Sequence, residues 1–182
     1  AWVWREAKKF ASSGNPVAIL LPKQRMIQDF ITSVCDAEGI PAPEFPLTQG
    51  RYKKTDYKFA NEYLAKHGII LRYLGNNYGD LEEAERMGLV FLMTYHSSKG
   101  LDFETVFIPE MDASLNIWRG EDAMERKLFY VAATRSRRNL FISYSGSSPH
   151  RLVEGIPRDL TDNIDIKPQS SDENDDEFNN VF

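Results

Sequence analysis

The chain has 182 residues, of which 42% are hydrophobic, and a formal net charge of −5; that length suits one domain with a sizeable core. No apolar run approaches the ~20 residues of a membrane span, no signal peptide opens the chain, and a single cysteine, Cys35, excludes a disulfide framework. The charge is uneven: residues 159–182 hold eight acidic groups and one Lys, a net of −7, which leaves +2 on residues 1–158. A mildly basic body can hold nucleic-acid phosphates, although +2 identifies no partner by itself.

The chain opens on Ala1-Trp-Val-Trp4, without a methionine, and we expect a longer protein around it. Residues 2–10 read as an amphipathic helix packing on the core, with base stacking by its aromatics as the alternative. Residues 17–21, 89–94 and 105–109 are apolar throughout, the pattern of parallel strands covered on both faces. Residues 69–74 and 140–144 are weaker strand candidates. Helical spacing fills the intervals: residues 23–38, stopping at Gly39 with Pro41 beyond; residues 56–67, closed by Gly68; and residues 121–136. Cys35, among apolar neighbours in the first of these, reads as a buried structural thiol, and a reducing compartment fits: cytoplasmic and nucleoid-associated, or nuclear in a eukaryote. Residues 40–55 read as a loop, and residues 159–182 as a flexible acidic tail. Alternating strands and helices predict an α/β fold on a mainly parallel sheet.

Two segments carry chemistry. Thr94-Tyr-His-Ser-Ser-Lys-Gly-Leu-Asp-Phe103 follows a buried strand, so we expect it at that strand's carboxyl end, where open α/β sheets bind ligands. Its hydroxyls, Lys99 and Gly100 suit phosphate contact, and Asp102 suits a ribose hydroxyl; the alternative is a polar turn with Ser97 or Ser98 capping a short helix. Ser98-Lys-Gly100 is not a P-loop, since G-x-x-x-x-G-K-[ST] occurs nowhere in the chain, and no metal site is expected.

The second segment runs from Glu125 to Arg138. Met124, Leu128, Val131 and Ala132 share one helical stripe, and Arg135 falls within about 20° of it at ~100° per residue. An arginine aimed along a packed face needs a partner, an internal carboxylate or a ligand. Arg137 and Arg138 read as complements to the helix C-terminus.

Thr94 to Phe103 with its following strand resembles motif V of the UvrD/Rep-type superfamily 1 DNA helicases, and Arg126-Lys-Leu-Phe-Tyr-Val-Ala-Ala-Thr-Arg135 with the Leu140-Phe-Ile142 strand resembles motif VI. The resemblance spans roughly residues 15–145. It implies the second RecA-like motor domain of an ATP-dependent, 3′–5′ DNA helicase, inactive as an ATPase when isolated. ATP and Mg²⁺ would be held mainly by an N-terminal RecA-like domain. By the same match Arg135 is the catalytic finger on the γ-phosphate, Gly100 and Asp102 lie near the nucleotide, and Thr94, His96 and Lys99 lie on the single-stranded DNA track. Relatives more often carry Glu where Asp102 stands, which shortens its reach. Residues 40–88 occupy the place of a much larger accessory domain and include an acidic stretch at 80–85. Reduced insertions of this kind imply a translocase or nucleoprotein remodeller as the alternative to an unwinding enzyme. A non-enzymatic interaction module that keeps the fold is the other. The domain would then be residues 1–158, with residues 159–182 a tail whose run from Ser170 to Glu177 and terminal Phe182 could dock a protein partner or screen the DNA track.

Overall fold

The computed structural model describes residues 1–11, 15–49, 51, 53–75, 78–118 and 122–166. Its centre is a five-stranded sheet of β1 (Val17–Leu21), β2 (Leu71–Tyr73), β3 (Val90–Thr94), β4 (Phe103–Ile108) and β5 (Ser136–Ile142) in the order β2-β3-β1-β4-β5. Every pairing is parallel. β1 is buried at all five positions because both its faces are covered, which is why it reads as an uninterrupted apolar run.

Helices α1 (Trp2–Phe10), α2 (Gln24–Ala37) and α3 (Tyr57–Lys66) share one core cluster with Val17, Ile19 and Leu21. On α2 the buried residues Met26, Ile27, Phe30, Ile31, Val34 and Cys35 recur at the helical period, so one stripe faces the sheet. Burial first, then Asp36, raises the Cys35 thiol above its ordinary pKa, which suits an inert packed role. On α1, Trp4 and Ala7 are buried, and Trp2 and Phe10 close against Phe107 and Phe141 at centroid distances of 5.3–6.5 Å. These aromatics are core residues, not an open stacking surface. α2 and α3 end at Gly39 and Gly68, with φ of 70° and 71°.

The opposite face packs α4 (Leu81–Arg86) and α5 (Asp122–Ala133) through Ala84, Leu128 and Ala132 against Ala18, Leu20, Phe91 and Val106. Asp80 caps α4 by accepting from the Glu83 N–H at 3.0 Å, so the acidic stretch is the first turn of a short helix. Beyond α6 (Arg151–Glu154) a 3-10 turn at Arg158–Leu160 leads to an extended, exposed run through residue 166. The expected acidic run from Ser170 to Glu177 lies outside the described residues.

Several element limits differ from expectation. The last helix stops at Ala133, not residue 136, and β5 begins at once with Ser136. Arg137 and Arg138 therefore stand on an edge strand and do not complement a helix C-terminus. Charged residues on edge strands discourage pairing with other chains, which accounts for a strand whose first half reads as polar. The buried face of α5 is Glu125, Leu128 and Ala132, whereas Met124 is exposed, so the helix is turned about one residue from the expected stripe.

Candidate nucleotide and nucleic-acid sites at opposite edges of the sheet

Strand register sets the geometry. Leu21 pairs with Thr94, so Thr94 lies at the carboxyl edge of the sheet. Val17 pairs with Thr105, so Phe103 and the preceding Asp102 lie at the amino edge. Residues 95–102 therefore do not stay at the carboxyl end of β3, as expected. They cross one face of the sheet, over the length of a five-residue strand, about 15 Å at ~3.3 Å per residue.

At the carboxyl edge the Thr94 hydroxyl accepts from the Ser97 N–H at 3.2 Å and lies 2.9 Å from Ser97 Oγ. Thr94, not Ser97 or Ser98, is the residue that caps this turn. Ser98 is buried and donates to Tyr95 O at 3.0 Å, while Tyr95 is fully buried and its phenol is pushed well above its ordinary pKa by burial. Those two residues fix the crossover to the sheet. His96 and Lys99 remain exposed. The His96 ring lies 6.0 Å from Trp118, which is 42% exposed. Gly100 has φ of +84°, and nothing lies within 4 Å of the Cβ it lacks. Glycine answers there to the backbone turn, not to crowding.

At the amino edge Arg135 and Asp102 meet. Arg135 follows α5, one residue before β5, and is 20% exposed. Its Nε donates to Val131 O at 2.9 Å, Nη1 to Leu101 O at 3.0 Å and to Asp102 Oδ1 at 3.3 Å, and Nη2 to the Thr134 hydroxyl at 3.1 Å. Arg137 Nη2 stands 3.6 Å from Asp102 Oδ2. Two guanidinium groups thus flank one carboxylate. The internal carboxylate and the ligand-facing residue that sequence left as alternatives for Arg135 come together here, because its ion-pair partner is the other nucleotide candidate. Gly100, Asp102 and Arg135 lie towards the amino edge, and Thr94 and His96 at the carboxyl edge. Among the described residues no group of three or more His, Cys, Asp or Glu could hold a metal ion.

Sequence reasoning missed a polar cluster at the start of α5. Glu125 is 6% exposed, accepts from the Ile117 N–H at 3.1 Å, pairs with Arg151 and lies 3.7 Å from His150 Nε2. Arg151 also grips Asp122 in a bidentate pair at 2.8 and 2.9 Å. Burial pushes the Glu125 carboxyl up, but the Arg151, Ile117 and His150 contacts outweigh it and hold it below its usual range. The Arg151 guanidinium is pushed above its ordinary pKa by Asp122 and then Glu125. The cluster borders a cleft of about 510 Å³ lined in part by Asn116, Trp118 and Ser148. A carboxylate at a helical core position was the available signal.

The model of the UvrD-like helicase C-terminal domain family matches residues 52–147. ATP-dependent DNA helicase PcrA of Staphylococcus epidermidis is 37% identical over 101 residues, covering 46% of this chain and 14% of that protein. PcrA of Staphylococcus aureus is 36% identical over 102 residues with the same coverage, and a probable DNA helicase II homolog of Mycoplasma capricolum is 28% identical over 126 residues, covering 59% and 18%. The chain thus spans about one seventh of the length of the PcrA relatives it matches. The crystal structure of the C-terminal domain of a possible DNA helicase from Lactobacillus plantarum WCFS1 superposes with a TM-score of 0.50 at 17% identity, covering 87% of this chain and 73% of that one, a likeness of fold. With a five-stranded parallel sheet of this order and both motif-like segments, 94–103 and 126–135, inside the matched span, the chain belongs to the UvrD-like helicase C-terminal domain family.

Proposed function

We propose that the chain is the second motor half of an ATP-dependent DNA helicase, with residues 1–158 as the motor domain. It closes an ATP cleft whose triphosphate-binding half lies on an N-terminal RecA-like domain. The supporting observation is that one eight-residue crossover, 95–102, joins the Thr94–His96 corner to the Asp102–Arg135 corner. A motor needs such a link between its fuel site and its track.

The residues fit the nucleotide in part. Arg135 offers a guanidinium whose Nε and Nη1 are already oriented by two backbone carbonyls, the kind of preorganised cation that stabilises charge developing on a transferred phosphoryl group. Asp102 offers an acceptor for a sugar hydroxyl, and Gly100 leaves open space at the backbone. No Mg²⁺ ligand set is assigned to this chain, and we assign the metal to the N-terminal domain. For Arg135 to engage a phosphate, its Nη1 exchanges Asp102 for the phosphate oxygen. Thr94 and His96 at the other edge, with Lys99 further along the same turn, take single-stranded DNA, and the direction of travel is 3′–5′ by likeness to the family.

A second reading, ATP-driven translocation or nucleoprotein remodelling without processive unwinding, draws on the compactness of the described part of residues 40–88. They fold into a loop, α3, β2 and α4 packed within the domain. The deciding experiment for the motor reading is steady-state ATPase of the full-length protein with Arg135→Ala and Arg135→Lys. Both should lower kcat by about 10³–10⁵-fold with little change in KM, since a lysine point charge does not reproduce the planar fork. Near-parent turnover in either variant would overturn the finger role.

A further inference from the structure

The hairpin that precedes α3 concentrates positive charge. Arg51, Lys53 and Lys54 are all exposed, and Lys58 follows within the first turn of the helix. The nearby Asp56 carboxylate is committed to capping, accepting from the Lys58 N–H at 3.0 Å. The hairpin's described residues are tied together by hydrogen bonds. Leu47 bridges Thr55, Thr48 N–H donates to Lys54 O at 2.7 Å, Lys54 N–H donates to the Thr48 hydroxyl at 3.2 Å, and Asp56 N–H donates to Pro46 O at 2.7 Å.

A continuous set of contacts ties this hairpin to the carboxyl edge. Gln28, one turn into α2, donates to the Thr55 hydroxyl at 2.6 Å, and Tyr57 Oη donates to Gln24 O at 3.1 Å at the start of the same helix. Tyr78 Oη reaches Thr55 O at 3.4 Å. Tyr78 and Gly75 exchange backbone hydrogen bonds at 2.9 and 3.1 Å. Gly75 in turn lies so close to Ser97 that a Cβ there would meet Ser97 Oγ at 2.7 Å, and Ser97 is the partner of Thr94. The base of the cationic hairpin, at Thr55, is therefore joined by contacts to the Thr94–His96 corner along one edge of the sheet.

We propose that Arg51, Lys53 and Lys54 extend the DNA track, taking the phosphates of the single strand next to those held at the Thr94–Lys99 turn. The inference rests on the assignment of that turn to DNA. The strand crosses the carboxyl edge over β3 and continues past Gly75 and Tyr78 to the hairpin. Stacking and hydrogen bonding at the His96 corner orient the strand, whereas the hairpin supplies sequence-independent charge neutralisation.

The test measures binding of the 182-residue chain to oligothymidylates of roughly 4 to 16 nucleotides, the range of site sizes for such grooves, as a function of salt. The variants are Arg51→Gln/Lys53→Gln/Lys54→Gln, His96→Ala/Lys99→Ala, and Lys66→Gln as a control from the far end of α3, with thermal melts verifying that each is folded. Each phosphate neutralised adds about 0.7 to the log–log salt slope for a single strand, so the hairpin variant should lose about two units of slope. That is an about 100-fold weaker affinity at 0.1 M salt, closing near 1 M, for long oligonucleotides, and little change for the shortest. Lys66→Gln should match the parent. A hairpin variant that keeps the parental slope while His96→Ala/Lys99→Ala loses affinity overturns the inference and leaves the turn's DNA role standing. An unchanged His96→Ala/Lys99→Ala variant overturns the DNA role of the turn and with it the continuous track, even if the hairpin binds. Equal losses in the hairpin variant and in Lys66→Gln reduce the effect to net charge and also overturn it.

Discussion

Arg151 should be worth more to the fold than the carboxylate it holds. Removing it by Arg151→Ala leaves Glu125, 6% exposed, as a buried charge with only the Ile117 N–H and the nearby His150 imidazole for company. Orphaning a buried carboxylate is costlier than neutralising it, and although the half-exposed guanidinium screens part of the effect, Arg151→Ala should destabilise more than removal of the charge at Glu125. Glu125→Gln is milder. The amide still accepts from Ile117, and Arg151 keeps its bidentate grip on Asp122, so the loss is that between a charge-assisted and a neutral hydrogen bond, about 1.5 kcal/mol. In a chain of this size the Glu125→Gln figure corresponds to a melting temperature lowered by roughly 3–6 °C, and Arg151→Ala should lower it further. In the Glu125→Gln background the further change Arg151→Ala should cost clearly less than it does in the parent, because what remains is a surface pair with Asp122. The pH dependence has a definite sign. Glu125 is held below its ordinary value of 4.5, so its contribution is complete above that pH and is lost as the pH falls through the lower, folded value. Urea melts followed by circular dichroism at neutral pH, then at steps below about pH 5, would show the gap between parent and Glu125→Gln shrinking on acidification. If Arg151→Ala costs no more than Glu125→Gln, or the gap ignores pH, the buried-charge reasoning is wrong.

Other outcomes follow from single positions. Glu110 sits at a φ of 60°, so Glu110→Gly should stabilise the fold by about 0.5–1 kcal/mol through relieved backbone strain; desolvation, then Asp29 and Asp112, also raises its carboxyl above the ordinary value. Because a raised carboxyl loses stability as pH climbs through its folded value, that advantage should grow with pH above 4.5; a destabilised glycine variant in urea melts would refute it. Gly100→Ala should cost about 1–2 kcal/mol through backbone strain alone, since the space is open, and a melting temperature equal to the parent's would mean that φ of +84° is not held in solution. The 182-residue chain by itself should hydrolyse ATP no faster than background in a phosphate-release assay, and Mg²⁺-dependent turnover abolished by Arg135→Ala would place a complete site on it.

The sheet was largely legible because β1, β3 and most of β4 are apolar on both faces, a pattern few other elements share. β5 was misjudged where it matters most. The helical reading ran to residue 136, three residues too far, which made Arg137 and Arg138 look like helix-end charges, and only the pairing of Phe103 with Ser136 reveals a strand there. Arg135 was found for a reason that fails: α5 ends before it, and its partial burial comes from folding back on Val131 and across to Leu101. Its meeting with Asp102, 33 positions away, depends on the β4–β5 pairing and carries no local signal. Thr94 was placed correctly at a carboxyl edge, but a short run beginning there was assumed to stay there. Local propensity does not disclose that Tyr95 and Ser98 are buried, which draws the chain across the sheet.

That crossing has a mechanical side. Most loops between two sites behave as hinges, absorbing motion in their own torsions. Residues 95–102 start level with the last residue of β1, finish beyond its first, and are pinned near the start by two buried side chains. Between those ends the chain is coiled into turns, with Ser98 N–H donating to Thr94 O at 3.1 Å, Lys99 N–H to His96 O at 3.3 Å and Leu101 N–H to Ser98 O at 3.1 Å, so it covers about 15 Å with roughly twice that length of chain. Slack held in hydrogen-bonded turns is released only when they break. The segment is therefore a spring, not a tether: it couples the two rims of the sheet stiffly over small displacements and yields over large ones.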